Sequence, residues 1–165
     1  MNEKEERAAW MVAPLPDLVR HLVGNCHAEC RVDMGILETR VELAVLEEAD
    51  RNPALLEVRD AVTEFCAGMR AHMASEERHL FPHLMGRAGA EPDPEALASV
   101  KAALLADHES EASVLRGIRC LSQALAGEAG QDGRATQVYR DLMELSRHLQ
   151  NHLYLETYIL FPRIT

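Results

Sequence analysis

Two stretches, HMASEERHLFPH at residues 72–83 and HLYLETYILFPR at 152–163, share the pattern H-x-x-x-E-x-x-x-x-F-P. His72, Glu76, Phe81 and Pro82 recur at the offsets of His152, Glu156, Phe161 and Pro162. An imidazole and a carboxylate four residues apart lie one above the other on a helix face, so each pair aims two Lewis bases at one place. A single pair of this kind is common on solvated faces. These two sit among Met69, Met73 and Leu80 and among Leu149, Leu153 and Leu160, and an apolar interior disfavours unpaired polar groups. Two further histidines extend the repeat. His27 precedes His72 by 45 residues and His108 precedes His152 by 44, the signature of two helical hairpins that each offer one lone histidine and one H-x-x-x-E.

The elements that must position these groups follow from helix punctuation. A first helix is expected from about Leu15, after APLP, to about Ala49, with Leu18, Leu22, Leu37, Val41 and Val45 at helical spacing. Asp50-Arg51-Asn52-Pro53 reads as a turn, with Pro53 suited to the first helical position. The second helix runs to about Met85 and ends at GRAGAEPDP; the third runs from Pro94 to about Ala126; GEAGQDG breaks the chain; the fourth spans Arg134 to Phe161. Four long helices with short connections predict an all-α, up-down-up-down four-helix bundle over residues 15–165, preceded by an extension over 1–14. At about 1.5 Å per residue, the steps from His27 to the first turn and back to His72 nearly match, and the same holds from His72 to His108 and from His108 to His152. All four histidines are therefore expected in one layer of the bundle, with Glu76 and Glu156 beside them.

Four imidazoles and two carboxylates without thiolate suit iron or manganese, with zinc as a third choice. If both glutamates bridge, the six side chains supply about eight bonds, so two octahedral ions sharing one oxygen keep about two positions open for a small molecule. Composition narrows the remaining classes. A formal net charge of −10 argues against a basic nucleic-acid surface. No apolar run is long enough to span a membrane, and MNEKEERAAW is not a secretory signal, so a cytoplasmic protein is expected. Cys26, Cys30, Cys66 and Cys120 form no C-x-x-C and read as reduced thiols, Cys26 and Cys30 lying one turn apart.

The set His27, His72–Glu76, His108, His152–Glu156 resembles the hemerythrin-like (HHE cation-binding) family. WMVAPLPDLVRHL, His27–Arg31, HMASEERHLFP, DHESE and HLYLETYILFP are similar to its repair-of-iron-centres branch. The resemblance runs from Trp10 to Phe161. It implies a hemerythrin-like bundle holding two oxo-bridged iron ions, with the four histidines as terminal ligands and Glu76 and Glu156 as bridges. It further implies reaction with nitric oxide, oxygen or peroxide, and a redox or iron–sulfur protein as partner in cluster repair. Only about fourteen residues precede the bundle, in place of the cysteine-bearing segment usual in that branch. Glu48 stands where the branch often has a further histidine; it is expected at the helix end unless the first helix breaks at Gly35. Ala112 and Glu156 depart from the oxygen carriers' H-x3-H and H-x4-D, which favours redox reactivity or sensing over oxygen carriage. No side chain reads as a dedicated acid–base catalyst, so a non-catalytic iron, oxygen or nitric oxide sensor is the alternative, and whether the protein is an enzyme stays open. His148 is a candidate fifth nitrogen ligand or a half-exposed neighbour, and His79 and His83 are expected at the surface. Glu77, Asp107 and Glu109 are candidates to orient imidazole N–H groups, and Tyr139, Tyr154 and Tyr158 to carry electrons or to pack.

Overall fold

The structure, a computed structural model, describes residues 3–86, 94–129 and 133–164, and every regular element among them is helical. Helix α1 (Glu3–Val12) forms within the expected extension. A first long rod joins α2 (Leu15–His21), a π-helical segment (Leu22–His27) and α3 (Ala28–Glu48) without a break, so Gly35 does not interrupt it. The second rod joins α4 (Ala54–Ser75), a π segment (Glu76–Leu80) and α5 (Phe81–Leu84). The third is α6 (Pro94–Ala129). The fourth joins α7 (Arg134–Tyr154), a π segment (Leu155–Leu160) and a 3-10 turn (Phe161–Arg163). α6 runs about one turn beyond the expected end, and Pro53 stands at the N-cap of α4 rather than inside it, within the play of helix boundaries. Most of the GRAGAEPDP loop and the centre of GEAGQDG lie outside the described residues.

The rods close a ring: α3 packs on α4, α4 on α6, α6 on α7 and α7 on α3. Their apolar faces meet in two separate clusters. One gathers Met34, Leu37, Val58, Met69, Ile118 and Leu142. The other gathers Leu18, Leu22, Leu80, Leu104, Ile159 and Phe161. Between them lies a polar layer, because His27, His72, Glu76, His108, His152 and Glu156 occupy the positions that separate the clusters along every rod. Cys26 belongs to one cluster and Cys30 to the other, on opposite sides of that layer.

The Phe-Pro pairs of the repeat explain two of the π segments. The N–H of Phe81 donates to the carbonyl of Glu76 and that of Phe161 to the carbonyl of Glu156, five residues back. Pro82 and Pro162 have no N–H for the carbonyl four residues earlier, and a proline ring clashes with that carbonyl in a regular α-helix. Widening the turn by one residue relieves the conflict. π segments of this kind recur at functional sites, and here each carries a glutamate as its first or second residue and a phenylalanine directly after its end.

α1 is fastened across the bundle end. The Arg163 guanidinium donates to the carbonyls of Trp10 (3.2 Å) and Ala13 (2.6 Å), Trp10 stacks on His21, and Arg7 lies 4.2 Å from the centre of the Tyr154 ring. At the other end Glu48 accepts from the backbone N–H of Arg134 at 3.0 Å, satisfying one orphan donor at the start of α7. Glu48 thus stands at the helix end as expected, but it is half-buried and caps α7 rather than facing solvent.

Candidate metal centre

Each rod delivers its marked residues to the polar layer from a different backbone context: His27 closes a π segment, His72 lies in the last turn of α4 with Glu76 beginning the next π segment, His108 sits inside α6, and His152 and Glu156 straddle the end of α7. All six side chains are buried, His27, Glu76, His152 and Glu156 completely. They fall into two overlapping groups, His27–Glu76–His152–Glu156 and His72–Glu76–His108–Glu156, each with its donor atoms within 4.8 Å of one another. Both glutamates belong to both groups. The four histidines of the repeat and both of its glutamates are in this cluster, and His148 is not.

The contacts repeat across the centre. His27 Nε2 lies 3.1 Å from His152 Nε2, and His108 Nε2 lies 3.1 Å from His72 Nε2. Glu156 approaches His152 Nε2 at 2.7 Å and His108 Nε2 at 3.2 Å, while Glu76 lies 3.4 Å from His27 and 3.5 Å from His72. Two facing imidazole nitrogens at such distances need a proton or a cation between them. Charge balance leans the same way. Burial lowers the proton affinity of His27, but the Glu156 and Glu76 carboxylates beside it outweigh that effect and raise the pKa to about 9. Burial also lowers His72 and His152, and the neighbouring glutamates outweigh it so that both are raised, whereas the surrounding histidines hold the Glu156 carboxyl well below its usual range against burial. Even so, both carboxylate oxygens of Glu76 and one of Glu156 are buried without a hydrogen-bond partner. Buried oxygens of that kind are rare and strongly disfavoured. The donor set has the composition and the unspent lone pairs that a cation requires.

Around this layer the halves differ. His27 Nδ1 donates to Glu77 Oε1 at 2.7 Å, and Arg31 donates to the same oxygen at 2.7 Å. His108 Nδ1 instead donates to Thr157 Oγ1 at 3.0 Å. Glu77 and Thr157 each follow the repeated glutamate by one position. Phe81 stacks over His27 with centroids 5.7 Å apart, and Phe161 over His108 at 5.5 Å, so the repeated phenylalanines shield the lone histidines.

The other candidates sort clearly. Glu77 orients an imidazole. Asp107 Oδ2, at 3.7 Å from His72 Nδ1, is beyond hydrogen-bond reach, and Glu109 is exposed. His148 pairs with Asp33 and lies outside both groups of donors. His79 is exposed and His83 half-buried. Tyr154 and Tyr158 pack on each other with centroids 5.2 Å apart. Cys26, Cys30, Cys66 and Cys120 are free thiols, and burial pushes Cys30 and Cys66 up to about 12, which suppresses their thiolates. Three features escaped the sequence reading. Thr157 was legible as the counterpart of Glu77 at the same offset. Glu111, a largely buried carboxyl raised by that burial, lies 3.9 Å from His72 Nδ1. The π segments left one trace, the shared Phe-Pro pair.

Similarity to known proteins extends over nearly the whole chain. The sequence model described as "Hemerythrin HHE cation binding domain" matches residues 18–164. The chain is similar to the iron-sulfur cluster repair protein ScdA of Staphylococcus haemolyticus (strain JCSC1435), at 27% identity over 91% of this chain and 67% of that protein. It is similar to the iron-sulfur cluster repair protein DnrN of Neisseria gonorrhoeae at 26% identity, over 95% of this chain and 96% of that protein. A third relative, the iron-sulfur cluster repair protein YtfE of Musicola paradisiaca (strain Ech703), is 26% identical over 93% of this chain and 67% of its own length.

Proposed function

The chain belongs to the hemerythrin HHE cation-binding family, and from that premise we propose that its polar layer holds two iron ions that bind or react with nitric oxide, oxygen or peroxide, in the service of iron–sulfur cluster repair under nitrosative or oxidative stress. The observation that carries this reading is the overlap of two donor groups through Glu76 and Glu156. Two carboxylates common to two sets of imidazoles fit a pair of cations better than a single one. The relatives named as repair proteins support the repair role, and DnrN is matched along almost its full length by a chain of this extent. The reading includes an up-down-up-down arrangement of the four rods over residues 15–165, supported by their closed ring of contacts. It also includes a cytoplasmic setting, supported by four free thiols. No described helix is long and apolar enough to cross a membrane.

In this proposal His27 and His152 would hold one iron and His72 and His108 the other, with Glu76 and Glu156 available to both. Bound there, the iron pair supplies Lewis acidity and exchangeable electrons. The chain does the rest. Glu77 and Thr157 accept the Nδ1 protons of His27 and His108, which fixes the tautomer and turns each Nε2 lone pair inward. Phe81 and Phe161 cover those rings, and the two apolar clusters exclude bulk water above and below. Iron content per chain and the optical spectrum of protein grown with iron test the proposal. About two irons per chain with oxo-bridge charge-transfer absorption are expected; a metal-free chain under iron-replete growth would overturn it. Multiple-turnover consumption of nitric oxide or peroxide identifies an enzyme, and saturable stoichiometric binding identifies a sensor.

A further inference from the structure

The two lone histidines are not equally accessible. A cavity of about 800 Å³ between α6 and the fourth rod is lined by Leu105, His108, Ala112, Leu153, Thr157 and Tyr158, among others. His108 itself forms part of its wall. On the opposite side, a cavity of about 450 Å³ is lined by Gly24, Glu77 and Phe81, among others, and none of the six clustered residues lines it. The reason lies one turn beyond each lone histidine. Arg31 follows His27 by four residues and fastens Glu77 across the ring at 2.7 Å. The same position after His108 holds Ala112, and Thr157 replaces Glu77, so among the described residues the Arg31–Glu77 pair has no counterpart on that side. Residual exposure agrees: 0% for His27 and 5% for His108.

We propose that small linear ligands, diatomic molecules and compact anions, reach the centre through the Ala112 groove and dock beside His72 and His108. The His27–His152 half, closed by Arg31 and Glu77, holds its cation without exchanging ligands. The inference rests on the di-iron reading above. Leu105, Ala112 and Leu153 give the groove an apolar side, Glu109, Ser113, Arg116 and Gln150 give it a polar one, and the Thr157 hydroxyl stands next to His108.

Azide is the probe, added to ferric-loaded protein, with the growth of its charge-transfer band followed by stopped flow and iron content measured on the same sample. Ala112→Leu fills the groove and is expected to slow azide binding by about tenfold or more, since access limits association. Gly24→Leu fills the opposite cavity; an added Cβ at Gly24 meets no atom within 4 Å, and the rate is expected to stay within about twofold of the parent. Ala112→Gly and Ala112→Val complete a graded series, so the test survives if the leucine variant loses iron. A rate indifferent to side-chain size at 112 in iron-replete variants overturns the groove alone, as does equal slowing by Gly24→Leu. Absence of iron from the parent chain overturns the groove together with the reading it rests on.

Discussion

The His27–His152 half of the centre and the His72–His108 half are assembled from the same positions of a repeated hairpin, yet they are finished differently. Each has a lone histidine shielded by a phenylalanine, a partner histidine from the other hairpin, and a share of both glutamates. One half then adds a carboxylate held by an arginine, Glu77 with Arg31, where the other has Thr157 and Ala112. The inner layer is therefore nearly symmetric and the layer around it is not. A carboxylate behind an imidazole makes the ring a stronger donor than a hydroxyl does, so the closed half is built for retention and the open half for exchange.

The largest effect should come from what the halves share. Glu156→Ala or Glu76→Ala removes a donor from both groups, and iron is expected to fall from about two per chain towards none, with loss of about 4 kcal/mol of metal-linked stability at saturating iron. His152→Ala touches one group and should leave about one iron. Metal analysis beside thermal denaturation separates the cases; retention of both irons in the glutamate variants would break the notion of shared bridges. Next in size are the shielding rings. Phe81→Ala and Phe161→Ala should each destabilise the metal-free protein by about 3–5 kcal/mol, and denaturant titration showing very unequal losses would mean that the two phenylalanines do different work.

Glu77→Gln should weaken iron at the closed half by about 10-fold to 100-fold, and Thr157→Val should weaken the open half less. Chelator competition resolves the two sites, and Glu77→Asp should recover part of the loss. Protons should compete with metal in a related way. The glutamates raise His27 to about 9 against the effect of burial, so below that pH loading must expel its proton. Apparent ferrous affinity is expected to climb by about tenfold per pH unit for each proton displaced, and a flat profile on the acid side of neutrality would contradict that coupling. The smallest effect belongs to Arg31→Met. The Arg31–Glu77 pair is about one-third exposed on each side, so its loss should cost under about 1 kcal/mol of stability.

Much of the centre was legible because its geometry is local. A histidine and a glutamate at i and i+4 share a face in any helix, and equal residue counts between turns bring four histidines level whatever the packing details. The helices were legible for the same reason: apolar spacing, Pro53 and the glycine-rich breaks mark them without reference to neighbours. Glu48 was placed correctly by length alone, since a straight helix carries it far from His27. Thr157, Glu111 and the π segments were harder, because a hydroxyl next to Glu156 or a carboxyl one turn from His108 looks like any solvated residue until the facing rod is known.

By itself, then, the sequence determined an all-helical chain and the height at which six donor groups sit along its helices, because helical rise and periodicity depend only on residue order. Only the tertiary structure decided which histidines face each other: His27 meets His152 and His72 meets His108, pairings across hairpins that follow from the ring of rods and have no trace in spacing. It also decided which side of the centre is closed, since that depends on side chains from different rods, Arg31 and Glu77, arriving at one imidazole. Contacts between elements are set by three-dimensional packing, and no periodicity within a single element encodes them.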